Sequence, residues 1–115
     1  MPDFKKCKFL RAGFYYQMLS FVSVIKDGIP TSNDLQLLSL KLRASWESLA
    51  RRLKFDEASV TVFHKENEEL TEKALSMLQM WKAKYGSGAT FRVLHDALCH
   101  KLVCQRELAE QFCYG

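Results

Sequence analysis

A chain of 115 residues with 48% apolar content is long enough to hold one domain with a buried core, and too apolar for disorder. Its formal charge of +4 is mild; it suits acidic partners but does not by itself identify nucleic acid as a ligand. The four cysteines, Cys7, Cys99, Cys104 and Cys113, lack the density of a secreted disulfide framework, so free thiols in a reducing compartment are expected, and no run of about 20 apolar residues supplies a spanning helix.

Residues 1–32 read as an extension. Lys5, Lys6, Lys8 and Arg11 form a basic cluster, and a largely apolar, aromatic stretch follows from Ala12 to Ile25. That order imitates a secretory leader. Against it, Tyr15, Tyr16 and Gln17 interrupt the apolar part, and Lys26-Asp27 stands where small residues would precede cleavage. The aromatic and β-branched content permits a strand, while Phe14, Met18, Phe21, Val22 and Ile25 equally permit one helical face. The punctuation Gly28-Ile29-Pro30-Thr31-Ser32-Asn33 places a boundary ahead of a domain over residues 33–115.

That domain reads as six helices. Ser32 or Asn33 can cap the first, striped by Leu35, Leu38 and Leu42. Ser45 can cap the second, whose buried face is Trp46, Leu49, Ala50 and Leu53; Glu47 sits in its first turn, where negative charge is favourable. Asp56 caps the third, with Val60 and Phe63 inward, and Asn67 or Glu68 ends it. The fourth is the longest, striped by Leu70, Ala74, Leu75, Leu78 and Trp81 and stopped by Gly86. Thr90 caps the fifth, with Phe91, Leu94, Ala97, Leu98 and Leu102 as its stripe, and a short sixth from Arg106 to Phe112 is anchored by Leu108, Ala109 and Phe112. Strands and helices do not alternate here, which argues against an α/β fold.

Catalytic and metal chemistry find little support. Trp46 and Trp81 lie on apolar stripes and read as core. His95 and Cys99 share a face, but Cys104 and His100 are rotated away from it, and two ligands do not close a zinc site. His64 with Glu66, or His95 with Asp96, comes with no nucleophile, and neighbouring helix positions do not face each other. Gly86-Ser87-Gly88 lacks both the preceding strand and the following Lys-Ser or Lys-Thr of a phosphate loop. No cofactor is expected.

Charge patterning is the remaining signal. Arg51, Arg52 and Lys54 come late in the second helix, just before Asp56 and Glu57. Glu66, Glu68, Glu69 and Glu72 form an acidic run at the junction of the third and fourth helices. Lys82 and Lys84 close the fourth, and Gln105 and Arg106 sit between the fifth and sixth. Acids favour helix starts and bases helix ends, which explains much of this. Opposite-signed patches on different sides of a small bundle also permit head-to-tail association.

The ordered set of landmarks resembles the death domain. It comprises Trp46-Glu47-Ser48-Leu49-Ala50-Arg51-Arg52-Leu53, then Val60 and Phe63, then Leu75, Leu78 and Trp81, then Gly86 with Ala89-Thr90, Leu94 and Ala97-Leu98, and finally Leu108-Ala109-Glu110. The resemblance spans residues 33–115 and is to death domains in general, including those of adaptors, receptors, ankyrins and netrin-receptor-like proteins. It implies an all-α, six-helix antiparallel bundle. It implies a non-catalytic, cytoplasmic module of apoptotic or innate-immune signalling that pairs with other death-domain proteins or with itself through patches on the second to fourth helices and the late loops. Membrane contact would be indirect, through a receptor or the N-terminal extension. Two alternatives stand beside it: a death-like domain of a nuclear or nucleic-acid-associated complex, and the tail of a larger receptor or scaffold. The basic residues of the bundle have acids close by, so no continuous positive stripe favours nucleic acid.

Overall fold

A computed structural model describes residues 24–115. The basic cluster and most of the apolar stretch after it lie outside the described residues, and so does any choice between strand and helix there.

Helix α1, Ser32–Leu42, starts on a reciprocal cap. Thr31 Oγ1 accepts from the Asp34 amide at 3.1 Å, and Asp34 Oδ2 accepts from the Thr31 amide at 2.9 Å. The expected caps, Ser32 and Asn33, are instead the first helical residues. Of several adjacent residues able to cap, Thr31 is the one with extended backbone and an acid three positions on. A 3-10 turn, Arg43–Ser45, then feeds directly into α2, Trp46–Arg52. Ser45 is therefore already helical, at φ −69° and ψ −9°, and makes no capping bond. Its hydroxyl accepts from Gln105 Nε2 at 2.8 Å instead.

Helix α3, Glu57–Glu66, is capped as expected by Asp56, which accepts from the Ser59 amide at 2.9 Å. Asn67 ends it and returns a hydrogen bond from Nδ2 to the Phe63 carbonyl at 3.0 Å. Helix α4, Leu70–Tyr85, stops where Gly86 takes φ +52°, a left-handed value that costs other residues about 1–2 kcal/mol. A second 3-10 turn, Gly86–Gly88, leads to α5, Phe91–Cys99, capped by Thr90 on the Val93 amide at 3.2 Å. Helix α6 runs over Arg106–Cys113.

The six helices form an antiparallel all-α bundle, with α1 packed chiefly on α4 and α5 on α6. The core gathers Leu35, Leu38 and Leu42 of α1, Trp46 and Leu49 of α2, Phe63 of α3, Met77, Leu78 and Trp81 of α4, and Leu94 and Leu98 of α5. Phe63 receives Trp46 and Phe55 edge-on, at centroid distances of 6.5 and 5.3 Å. Three stripe positions differ from expectation. Leu70 heads α4 and is 42% exposed, and Leu75 is half-buried at the core's edge. Leu102 is 60% exposed, because α5 ends at Cys99 and the chain turns at His100 before reaching it.

Residues 24–30 lie against this bundle, across the boundary read at Gly28–Asn33. Ile25 and Tyr114 form an antiparallel bridge, the Lys26 amide donates to the Cys113 carbonyl at 2.7 Å, and the Gly115 amide donates to the Val24 carbonyl at 2.9 Å. The Phe91 amide donates to the Gly28 carbonyl at 3.0 Å, Lys26 Nζ stands 4.7 Å from the Phe91 ring centroid, and Pro30 is buried. The expectation of free thiols holds at Cys99 and Cys113. It fails at Cys104, whose sulfur is bonded.

Candidate protein-interaction surface

The basic end of α2 divides in two. Arg51 turns toward α3 and grips Glu57, Nε to Oε2 at 2.6 Å and Nη2 to Oε1 at 3.3 Å. That hydrogen bond pushes Arg51 above the usual guanidinium range and holds Glu57 below the usual carboxylate range. The Ser59 amide likewise lowers Asp56. Arg51, Asp56 and Glu57 thus direct their polar groups within the chain.

Arg52 turns the other way. Its Nη1 lies 3.4 Å from Nε2 of His100, the residue that closes α5. Lys54 follows, exposed, with its backbone at φ +79°. Arg52, Lys54, Val93, Asp96, Ala97 and His100 line an open pocket of about 280 Å³. His100 is marked in the sequence only as a residue rotated away from the His95–Cys99 face, not as a partner of Arg52. It stands 48 positions from Arg52, and no local spacing signals the pair.

Glu66, Glu68, Glu69 and Glu72 are all exposed and are brought together by the turn from α3 to α4. Glu72 Oε1 accepts from the Glu69 amide at 3.4 Å, which commits one of them to starting α4. Behind the run, the buried Lys73 places Nζ 2.9 Å from His64 Nδ1.

Lys82 and Lys84 lie at the far end of α4 from the acidic run. Lys84 Nζ is 5.6 Å from the ring centroids of both Phe55 and Tyr85, within cation–π range. It also rims a groove of about 250 Å³ whose floor includes Phe55 and Phe63 and whose exposed walls are Val62 and Met80. Helical spacing marks Val62 and Met80 as apolar but not as uncovered. Gln105 is an internal link to Ser45, and Arg106 is half-buried at the start of α6.

On α5, His95 Nδ1 is 3.1 Å from Asp96 Oδ1, and Cys99 Sγ is 3.6 Å from His95 Nε2. Residues 95 and 96 do meet, contrary to the expectation for adjacent helical positions. The arrangement has the order of a thiol–imidazole–carboxylate relay, but burial pushes the Cys99 thiol up, away from the thiolate that nucleophilic attack needs. His95 also stacks on Tyr114 at a centroid distance of 5.5 Å, holding α5 to the C-terminal segment. Among the described residues no group of three or more His, Cys, Asp or Glu is placed to hold a metal.

The surface therefore consists of a basic pocket at the ends of α2 and α5, an acidic turn between α3 and α4, and an apolar groove rimmed by Lys84. Comparison with curated proteins finds no match. The family model for the death domain matches residues 33–111, more than half of the chain. With its six-helix bundle and its charged, divided surface, the chain belongs to the death-domain family of protein–protein interaction modules.

Proposed function

We propose that this chain assembles with other death-domain proteins, and with further copies of itself, as a cytoplasmic adaptor element of apoptotic or inflammatory signalling. The observation that supports this reading is the separation of two patches of opposite sign, the half-buried Arg52 with the exposed Lys54 on one side and the exposed Glu66, Glu68, Glu69 and Glu72 on another. Unlike patches on one molecule favour heterologous contacts, which continue into rings or helical stacks. Complementary charge steers encounter, and repetition of modest interfaces along the stack makes the assembly tight.

The test uses the full chain. Light scattering across concentration and salt should show association that weakens as salt rises. Arg52→Glu with Lys54→Glu should weaken it, as should Glu66→Lys with Glu68→Lys, and mixing the two variants should restore part of it. Affinity capture at native salt with death-domain proteins of apoptotic and inflammatory pathways tests the biological setting. Wild-type assembly and wild-type capture by the Arg52/Lys54 variant would remove this patch from the mechanism. A gel shift by nucleic acid in place of capture would overturn the reading.

A further inference from the structure

We propose that Arg52 and His100 form a seat for a single carboxylate, supplied by Glu66 or Glu68 of a second copy of this chain. The inference rests on the homotypic reading above and assigns one contact within it. The Leu102 amide donates to His100 Nδ1 at 3.0 Å. A ring nitrogen that accepts a hydrogen bond carries no proton, so the neutral imidazole holds its proton on Nε2. That is the nitrogen that faces Arg52 Nη1 at 3.4 Å. A guanidinium can only donate. Two donors therefore face one another, and each is left in want of an acceptor.

A helix C-terminus attracts a cation, which explains a guanidinium at the end of α5. It does not explain a neighbouring ring turned to present a second N–H. A carboxylate satisfies both donors at once, because its two oxygens can accept from the two groups in parallel. Asp96 lines the same pocket but directs Oδ1 to His95 at 3.1 Å. Lys54 stands at the rim, exposed, and adds attraction for an incoming acid. On the acidic side, Glu69 and Glu72 are joined by the start of α4. Glu66 ends α3 and Glu68 lies on the turn before α4; both are exposed and are the acids presented to a neighbour.

Long-range proton–nitrogen spectra of the ¹⁵N-labelled full chain report the His100 tautomer without any substitution. The expected result is a proton on Nε2, with the His100 Nε2 and Arg52 Nε signals moving when unlabelled chain is added. Addition of unlabelled Glu66→Gln/Glu68→Gln chain should leave them in place. His100→Glu puts a carboxylate beside Arg52 within the molecule; it should keep the melting temperature and weaken self-association by about tenfold. A proton on Nδ1 would overturn the seat, as would His100→Glu assembling like wild type. If Arg52→Glu/Lys54→Glu weakens association while His100→Glu does not, the seat falls and the charge-steered reading stands. Equal movement with inorganic phosphate at the same concentration would make this a general anion site and overturn the assignment to a second copy. A chain that stays monomeric at every concentration would do the same.

Discussion

Arg51 and Glu57 close the turn between α2 and α3 with a two-point contact, at 2.6 and 3.3 Å. Glu57 is held below its ordinary value of 4.5 by Arg51, and Asp56 below its ordinary 3.8 by the Ser59 amide. Both acids bind protons less readily folded than unfolded. Their contribution to stability is whole above the ordinary carboxylate range and is lost as pH falls through the lowered folded values. Melting curves from neutral to acid pH should descend, and Glu57→Gln should flatten part of the descent. A melting temperature that rises on acidification would reverse the assignment.

Leu78 is fully buried in the middle of α4, and Leu70 at its start is 42% exposed. Leu78→Ala should cost about 2–5 kcal/mol in denaturant unfolding, the range for a buried leucine truncated to a cavity. Leu70→Ala should stay within about 0.5 kcal/mol, as surface substitutions usually do. Equal midpoints for the two variants would mean that α4 presents a different face to the core.

A chain beginning at residue 33 loses Thr31, the buried Pro30, the carbonyl that receives the Phe91 amide, and the bridge to Tyr114. A cap is worth about 1 kcal/mol and a net hydrogen bond about as much again, so the loss against a chain beginning at residue 24 should be at least ~2 kcal/mol. Both should remain helical and cooperative. Differential calorimetry with near-ultraviolet dichroism checks this, and identical melting temperatures would show that the clasp contributes nothing.

Lys54 holds φ +79°, a conformation that costs a residue with a Cβ about 1–2 kcal/mol. Lys54→Gly should therefore raise the unfolding midpoint, less the entropy that glycine adds to the unfolded chain. The same change removes a positive charge from the rim of the Arg52 pocket and should slow association. Stopped-flow association beside denaturant titration separates the two effects. A lower midpoint would show that the left-handed turn is not strained.

Local chemistry made much of the bundle legible. Asp56, Thr90 and Gly86 act where their spacing to the next apolar stripe placed them, because caps and stops involve only a few neighbouring residues. Ser45 misled because a 3-10 turn had already wound its backbone. Leu102 misled because periodicity continues through a helix end that is fixed by the return of the chain. The surface was less legible. Arg51 and Arg52 are neighbours in sequence, yet one is spent on Glu57 while the other reaches His100 across the fold. Only tertiary structure separates those roles, and the same holds for the link between Gln105 and Ser45.

The bridge between Ile25 and Tyr114 brings residues distant along the sequence side by side at one pole of the bundle. A short peptide joining residue 115 back to residue 24 would turn the described chain into a near-continuous circuit of helices. Fresh termini could then be opened at the exposed Ser87, between α4 and α5, without cutting a buried segment. The order of the helices around the core is in this sense circular, and where such a circuit is opened is a separate matter from how its members pack.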